Sequence, residues 1–348
     1  MKNFKTGVNF GCWISQYREL DYDLFRKMTT KADVFRIRDW GFDHIRLPFD
    51  YPLLLDEGDL YTFKPEGISI IDDMVEWCRD AGVSLLLDLH YAPGYRFQDR
   101  GSNRLFESAE LKKVFTALWA QMAERYKGVG EMLAFDLLNE VAEDEYFMPW
   151  VALAKDTIAA IRKISPERDV IYGGAYYNSV HGLSLLPVMD DDHVVYNFHY
   201  YEPLLFTHQF APWCKMAMDY NRTQEYPGDF YDLNKFAAEF PGDPDYAQFA
   251  KRYGGMRCGR EAVERDLALA DAFQKKTGRM TYCGEYGVFG RAPYESKLNW
   301  MRDVTEIFNR YHIGRALWIY LGGGFSLWDW REQKETDPEV VKIITKSW

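Results

Sequence analysis

Two glutamates stand where apolar, strand-like runs of this chain end. Glu140 closes Leu133-Ala134-Phe135-Asp136-Leu137-Leu138-Asn139-Glu140, and Glu285 lies near the exit of Met280-Thr281-Tyr282-Cys283-Gly284-Glu285-Tyr286-Gly287. A core strand has little use for an amide and a carboxylate side by side at its end, so Asn139 and Glu140 read as held out into a site. Two strand-end carboxyl groups are what glycoside cleavage requires. In its retaining form one is protonated and donates to the leaving oxygen while the other is ionised and attacks the anomeric carbon, across roughly 5 to 5.5 Å.

The elements that must position them alternate. Strand candidates are Gly7 to Trp13, His44 to Phe49, Ser84 to His90, Met132 to Glu140, Val170 to Gly174, Val194 to Tyr201, Met280 to Tyr286 and Arg315 to Leu321. Helical patterns lie between them at Tyr22 to Trp40, Pro65 to Ala81, Ser108 to Tyr126, Met148 to Ile164, Cys258 to Lys276 and Tyr294 to Tyr311, with a last short helix from Pro338 to Lys346. The link near Leu183 to Val188 has little room for a helix. Regular alternation implies a parallel sheet, and about eight units predict an α/β fold closed as a (β/α)8 barrel. An open dinucleotide-binding sheet is the runner-up, but no G-x-G-x-x-G follows the first strand. The expectation is one catalytic domain over residues 1–348. It includes an irregular aromatic-rich loop insertion at 202–257 after the sixth strand, lying over the strand C-termini.

Polar residues collect at those C-terminal ends, where barrel sites form. Arg46 lies in the second strand, His90 closes the third, Asn139 and Glu140 the fourth, His199 and Tyr201 the sixth, Glu285 the seventh and Trp318 the eighth. Singly each is weak, since a lone histidine or tryptophan is more often a satisfied core residue. Together on one rim they are hard to explain by packing, because buried charges are costly unless paired or used. Aromatic residues make up 17% of the chain, enough to expect that some of Trp13, Trp213, Trp328, Trp330, Tyr91 and Tyr201 line a cleft. Trp328-Asp329-Trp330, just past the eighth strand, is the expected wall of an added subsite.

Composition narrows the alternatives. A formal charge of -11 argues against a surface that holds phosphate backbones, so no nucleic-acid partner is expected. No segment is long and apolar enough to span a bilayer, and Met1 to Gly7 lacks the pattern of a secretory leader. A cytoplasmic location is the expectation, or secretion if a leader was removed. The five scattered cysteines contain no C-x-x-C and suggest free thiols in place of a disulfide framework or zinc knot. Neither H-x-H after the first strand nor H-E-x-x-H is present, so a metal-dependent hydrolase is disfavoured, as is a serine hydrolase without G-x-S-x-G. A non-catalytic carbohydrate-binding barrel stays open, although it would be free to lose a glutamate and both are present.

The chain resembles glycoside hydrolase family 5, the cellulase and mannanase family of retaining (β/α)8 enzymes. The resemblance rests on Leu133 to Glu140, on His-Ile-Arg-Leu-Pro at 44–48 and Leu-His-Tyr at 89–91, and on His-Tyr-Tyr at 199–201, Gly-Glu-Tyr-Gly at 284–287 and Ala-Leu-Trp at 316–318. Val141 departs from the proline commoner there. The resemblance implies Glu140 as acid/base, Glu285 as nucleophile, and Arg46 and Tyr201 as contacts that favour ionised Glu285. It also implies Asn139 on the sugar 2-hydroxyl, His90 and His199 around that sugar, and Trp318 as its stacking platform. Of the aromatics noted above, Tyr91 and Trp328 are expected to bind substrate. No cofactor and no metal are implied. A β-1,4-glucan cut internally is the favoured substrate, with β-mannan, xyloglucan or a short oligosaccharide cut from its end as alternatives. Oligomeric state is unreadable.

Overall fold

Strands that read as near-continuous apolar runs must be covered on both faces, which a parallel barrel inside a ring of helices provides. The computed structural model describes residues 1 and 3–346, so Lys2, Ser347 and Trp348 lie outside the described residues. Its barrel strands are β1 (Thr6–Asn9), β2 (His44–Asp50), β3 (Ser84–Tyr91), β4 (Leu133–Asp136), β5 (Val170–Gly173), β6 (Val194–Tyr200), β7 (Thr281–Tyr286) and β8 (Gly314–Leu317). Neighbours in the chain pair in parallel, and β8 returns to β1 to close the barrel. The chain is an α/β protein of (β/α)8 type.

The two-residue period of a strand sorts side chains between two environments. Ile45, Leu47 and Phe49 of β2 and Leu85, Leu87 and Leu89 of β3 face outward, into the large apolar cluster shared with the helices. The inward set Leu86, Ala134, Ile171, Val195, Tyr282 and Ala316 forms a small apolar layer with Phe4. Two residues further along β3, β4 and β6 the inward positions turn polar: Asp88, Asp136 and Asn197, like Asn9 and Arg46 on β1 and β2, are each buried to within 1%. The barrel thus has an apolar base and a charged upper floor, open toward the strand C-termini.

Where helix boundaries are legible, the cause is end chemistry. The helix Pro65–Ala81 starts with proline in its first turn and stops at Gly82, whose φ of 71° is the left-handed conformation glycine adopts without a Cβ clash. The expected helix from Tyr22 to Trp40 is instead two, Tyr22–Met28 and Lys31–Asp39, because Thr30 and Asp33 form a capping box that starts the chain afresh. After β5 the link is a one-turn segment Ala175–Asn178 followed by a 3-10 helix at Val180–Leu185.

The stretch expected as an irregular loop at 202–257 carries four short helices and a small strand pair. It holds helices Leu204–Thr207, Lys215–Tyr220, Leu233–Ala238 and Pro244–Tyr253, and Gly228–Asp229 pairs antiparallel with Arg257–Cys258. Leu205, Tyr220, Leu233, Phe236, Tyr246, Phe249 and Tyr253 give it an apolar cluster of its own. The Tyr253 hydroxyl donates to Asp266 at 2.8 Å and ties it to the helix Arg260–Thr277. Among the described residues no helix is long and apolar enough to cross a membrane.

Candidate active site

The floor of the site is built around one guanidinium. Arg46, fully buried on β2, contacts Asp136 and Asp88 at 3.0 and 3.1 Å, Glu285 at 2.9 Å, and the side-chain oxygens of Asn9 and Asn139 at 3.0 and 3.1 Å. A buried cation of this kind is stable only because its charge and donors are matched on every side. Asn9 in turn donates to the carbonyl of Gly284 at 2.9 Å, and Asn197 accepts from the Gly284 N–H at 2.9 Å while donating to Asp136 at 3.3 Å. Asn9, Asp88, Asp136 and Asn197 belong to the site's foundation and were not singled out from sequence. Their signal was a polar residue at the inward phase of an apolar strand, as in Leu-Asp-Leu-His and Asn-Phe-His.

Glu285 lies within β7, and a shift in register between Phe198 and His199 sets His199 opposite it. Its carboxylate accepts from Arg46 on one oxygen and from the Tyr201 hydroxyl, at 3.0 Å, on the other. β4 ends earlier than expected, at Asp136, so Asn139 and Glu140 stand on the segment beyond it. The Asn139 N–H still donates to the Leu89 carbonyl at 3.0 Å, and the Tyr95 hydroxyl donates to the Glu140 carbonyl at 2.8 Å, which holds this segment over β3. His199 Nδ1 is 2.8 Å from Glu140 and 3.8 Å from Glu285. One oxygen from each glutamate and a His199 ring nitrogen lie within 4.8 Å of one another.

The two carboxyls share desolvation and the His199 ring, but Arg46 and the Tyr201 hydroxyl grip Glu285 alone. Desolvation and then the charge of Glu285 hold Glu140 well above the usual carboxyl range. Desolvation also raises Glu285, but Arg46 in direct contact and the Tyr201 hydrogen bond oppose it. The proton of the pair therefore rests on Glu140. Burial pushes His90 down to about 3 and His199 well below its ordinary value, so both rings are neutral. Glu140, His199 and Glu285 have the spacing of a cation-binding triad, but Arg46 already places a fixed positive charge against Glu285. The donor set fits proton transfer better than a second cation.

Trp318, just beyond β8, is half-buried and stacks on His90 with centroids 5.7 Å apart and planes 10° apart. A Cβ at Gly11 would lie 2.5 Å from the Trp318 ring, so glycine there makes room for it. Asn139 Nδ2, His90 Nε2 and His199 Nε2 are buried without a hydrogen-bond partner. Three unsatisfied polar atoms around one aromatic plate suit a ligand with many hydroxyls and an apolar ring face.

Of the other aromatics, Trp328 and Trp13 belong to the core. Trp328 does not line the cleft: it is 8% exposed, packed under Arg36 at 3.6 Å and edge-on to Trp40, and paired with Glu335 in a two-residue strand. It serves the outer wall because Leu321 and Leu327 fold this segment back onto the core. Trp13 is also core, its indole N–H donating to the Phe25 carbonyl at 2.8 Å. Trp330 packs partly buried against the same core. Tyr91 is buried beside His90, with its hydroxyl on Gln98 at 2.6 Å. Trp213 is 57% exposed and joins Phe289, Phe325 and His208 in an aromatic group that reaches Tyr201.

A closed parallel barrel with two carboxyls facing one another at its carboxyl-terminal mouth defines a barrel glycosidase. The model of the cellulase family, glycosyl hydrolase family 5, matches residues 5–322, and the chain belongs to that family. It is similar to Endoglucanase C of Acetivibrio thermocellus, 39% identical over 346 residues and 99% of both chains. It is also similar to Cellodextrinase A of Ruminococcus flavefaciens, 33% identical over 90% of this chain and 84% of that one. Among solved structures, Cel5A of Thermotoga maritima in complex with mannotriose superposes with a TM-score of 0.78 over 99% of this chain and 98% of that one. At 22% identity that likeness speaks to the fold alone.

Proposed function

We propose that this enzyme is an endo-acting β-1,4-glucanase that hydrolyses with retention, Glu285 serving as nucleophile and Glu140 as general acid and then base. The observation that carries the reading is the approach of the two carboxyls to within 4.8 Å, one bound by Arg46 and Tyr201 and the other by neutral His199. A pair this close leaves no room for a water between nucleophile and anomeric carbon, which inverting enzymes accommodate with a gap of about 6.5 to 9.5 Å.

In the first step a Glu285 oxygen attacks the anomeric carbon while Glu140 gives its proton to the departing oxygen. The resulting ester removes the negative charge that kept Glu140 protonated. Glu140 then takes a proton from water, which displaces Glu285 and regenerates both groups. Asn139, its oxygen fixed by Arg46, offers its free N–H to the 2-hydroxyl, and Trp318 supports the ring face. The names of the full-length relatives favour a cellulosic glucan and its oligosaccharides.

The product pattern from β-linked glucan, mannan and xyloglucan and from defined cello-oligosaccharides tests this reading. Mixed-length fragments from glucan are expected. Release of a single sugar throughout, or turnover of mannan alone, would overturn it.

A further inference from the structure

β6 ends at Tyr200, whose pairing with Tyr286 is the last of that ladder, so Tyr201 stands one residue past the sheet. Its hydroxyl must nevertheless meet one particular oxygen of Glu285, at 3.0 Å. A phenol on an unpaired segment keeps such a contact only if its backbone and ring are fixed by other groups. Both are fixed by the first turn of the insertion, Leu204–Thr207, and by the residue after it.

Thr207 is fully buried; its hydroxyl donates to the Tyr201 carbonyl, and its own carbonyl accepts from the Phe289 N–H at 2.8 Å. Phe289 lies just past β7, which carries Glu285, so one threonine ties the tyrosine to the exit of the nucleophile's own strand. A hydroxyl has a single proton, and that of Thr207 is committed to the carbonyl. His208 Nδ1, 3.1 Å away, therefore donates to Thr207 Oγ1. Burial pushes His208 down to about 4, which keeps this ring neutral. The same ring meets that of Tyr201 edge-on, with centroids 4.9 Å apart and planes at 83°, and Phe325 packs against both. We infer that Thr207 and His208 are positioning residues: they hold Tyr201 so that its hydroxyl meets Glu285, which makes the start of the insertion a working part of the active site. This inference rests on the retaining-glycosidase reading and adds what keeps the nucleophile's tyrosine in place.

The test uses dinitrophenyl β-cellobioside, whose leaving group needs no proton, so kcat/KM follows attack by Glu285. Thr207→Val, which keeps the shape of the side chain, is expected to lower kcat/KM by about tenfold, the scale of one hydrogen bond. Thr207→Ser, which keeps the hydroxyl, should recover most of that loss, and His208→Ala should give a similar loss with Thr207 in place. The tyrosine's hydrogen bond favours ionised Glu285, so the acidic limb of the pH profile should move to higher pH in Thr207→Val. Arg46, Asp88, His90, Asp136, Glu140, His199 and Cys12 also face Glu285 and are unchanged in that variant, so the movement reports Tyr201. In a Tyr201→Phe background neither substitution should cost more than about twofold, because the contact they serve is already gone. Full kcat/KM in both single variants, or an equal loss with and without the Tyr201 hydroxyl and an unmoved acidic limb, would overturn the inference while leaving the glycosidase reading intact. A parent that turns over no β-cellobioside would overturn both.

Discussion

Glu140 and Glu285 are the same chemical group in one desolvated site, and contacts alone separate their protonation. Because Glu140 is raised and must be protonated, while Glu285 must be ionised, kcat/KM should fall as pH rises through the Glu140 value and fall again as pH drops through that of Glu285. Glu140→Ala should lose about 10²- to 10⁴-fold on substrates whose leaving group needs a proton, and far less on a dinitrophenyl glycoside. Comparing the two substrates in the mutant checks this. Arg46→Ala strands three buried carboxylates and should lower unfolding stability by about 3 to 5 kcal/mol in urea titrations. A proton-linked term follows from Asp50, buried at the end of β2. Its folded value of about 8 lies above the usual ~3.9, so the native state keeps a proton the unfolded chain releases. Stability from this group declines as pH climbs between those values, and Asp50→Asn should flatten the decline. Glutamates and histidines were legible in the sequence because charge at a strand end is anomalous. Asp88, Asp136 and Asn197 were overlooked because each sits inside an apolar run of the sequence, where a polar residue is easily taken for noise.

At the scale of elements, register decides which residues meet. The irregularity between Phe198 and His199 lifts His199 level with Glu285, and Gly284 lets Asn197 close against the strand. A Cβ at Gly284 would fall 2.8 Å from Asn197 Oδ1 and 3.0 Å from His199 Nε2. Gly284→Ala should therefore displace both, cost about 1 to 3 kcal/mol of stability and reduce turnover, as thermal melts and kinetics would report. Strands and long helices could be read from period and end residues; register shifts could not, since they leave no mark on hydrophobic pattern. The place of Trp328 was misread for a related reason. A tryptophan just past a strand end says nothing about which way the chain turns, and here it turns outward onto Arg36.

The whole molecule is a barrel with a helical insertion leaving from the end of β6, beside the acidic pair. The barrel was legible because eight alternating units allow few other closures. The insertion was not: its helices run from 4 to 10 residues, too short for a clear period, and its aromatic content resembles that of a loop. With a cluster of its own, it should loosen separately. Phe236→Ala, losing about 3 to 5 kcal/mol of packing, should raise hydrogen exchange across 204–253 before the barrel strands. What the fold does for chemistry is to bring residues 140 and 285, far apart in the chain, face to face. The most direct test is to inactivate the enzyme with a dinitrophenyl 2-deoxy-2-fluoro-β-cellobioside and locate the adduct by peptide mass spectrometry. A fluorocellobiosyl ester on Glu285 is expected; an adduct on Glu140, or turnover to product of inverted configuration, would contradict the assignment.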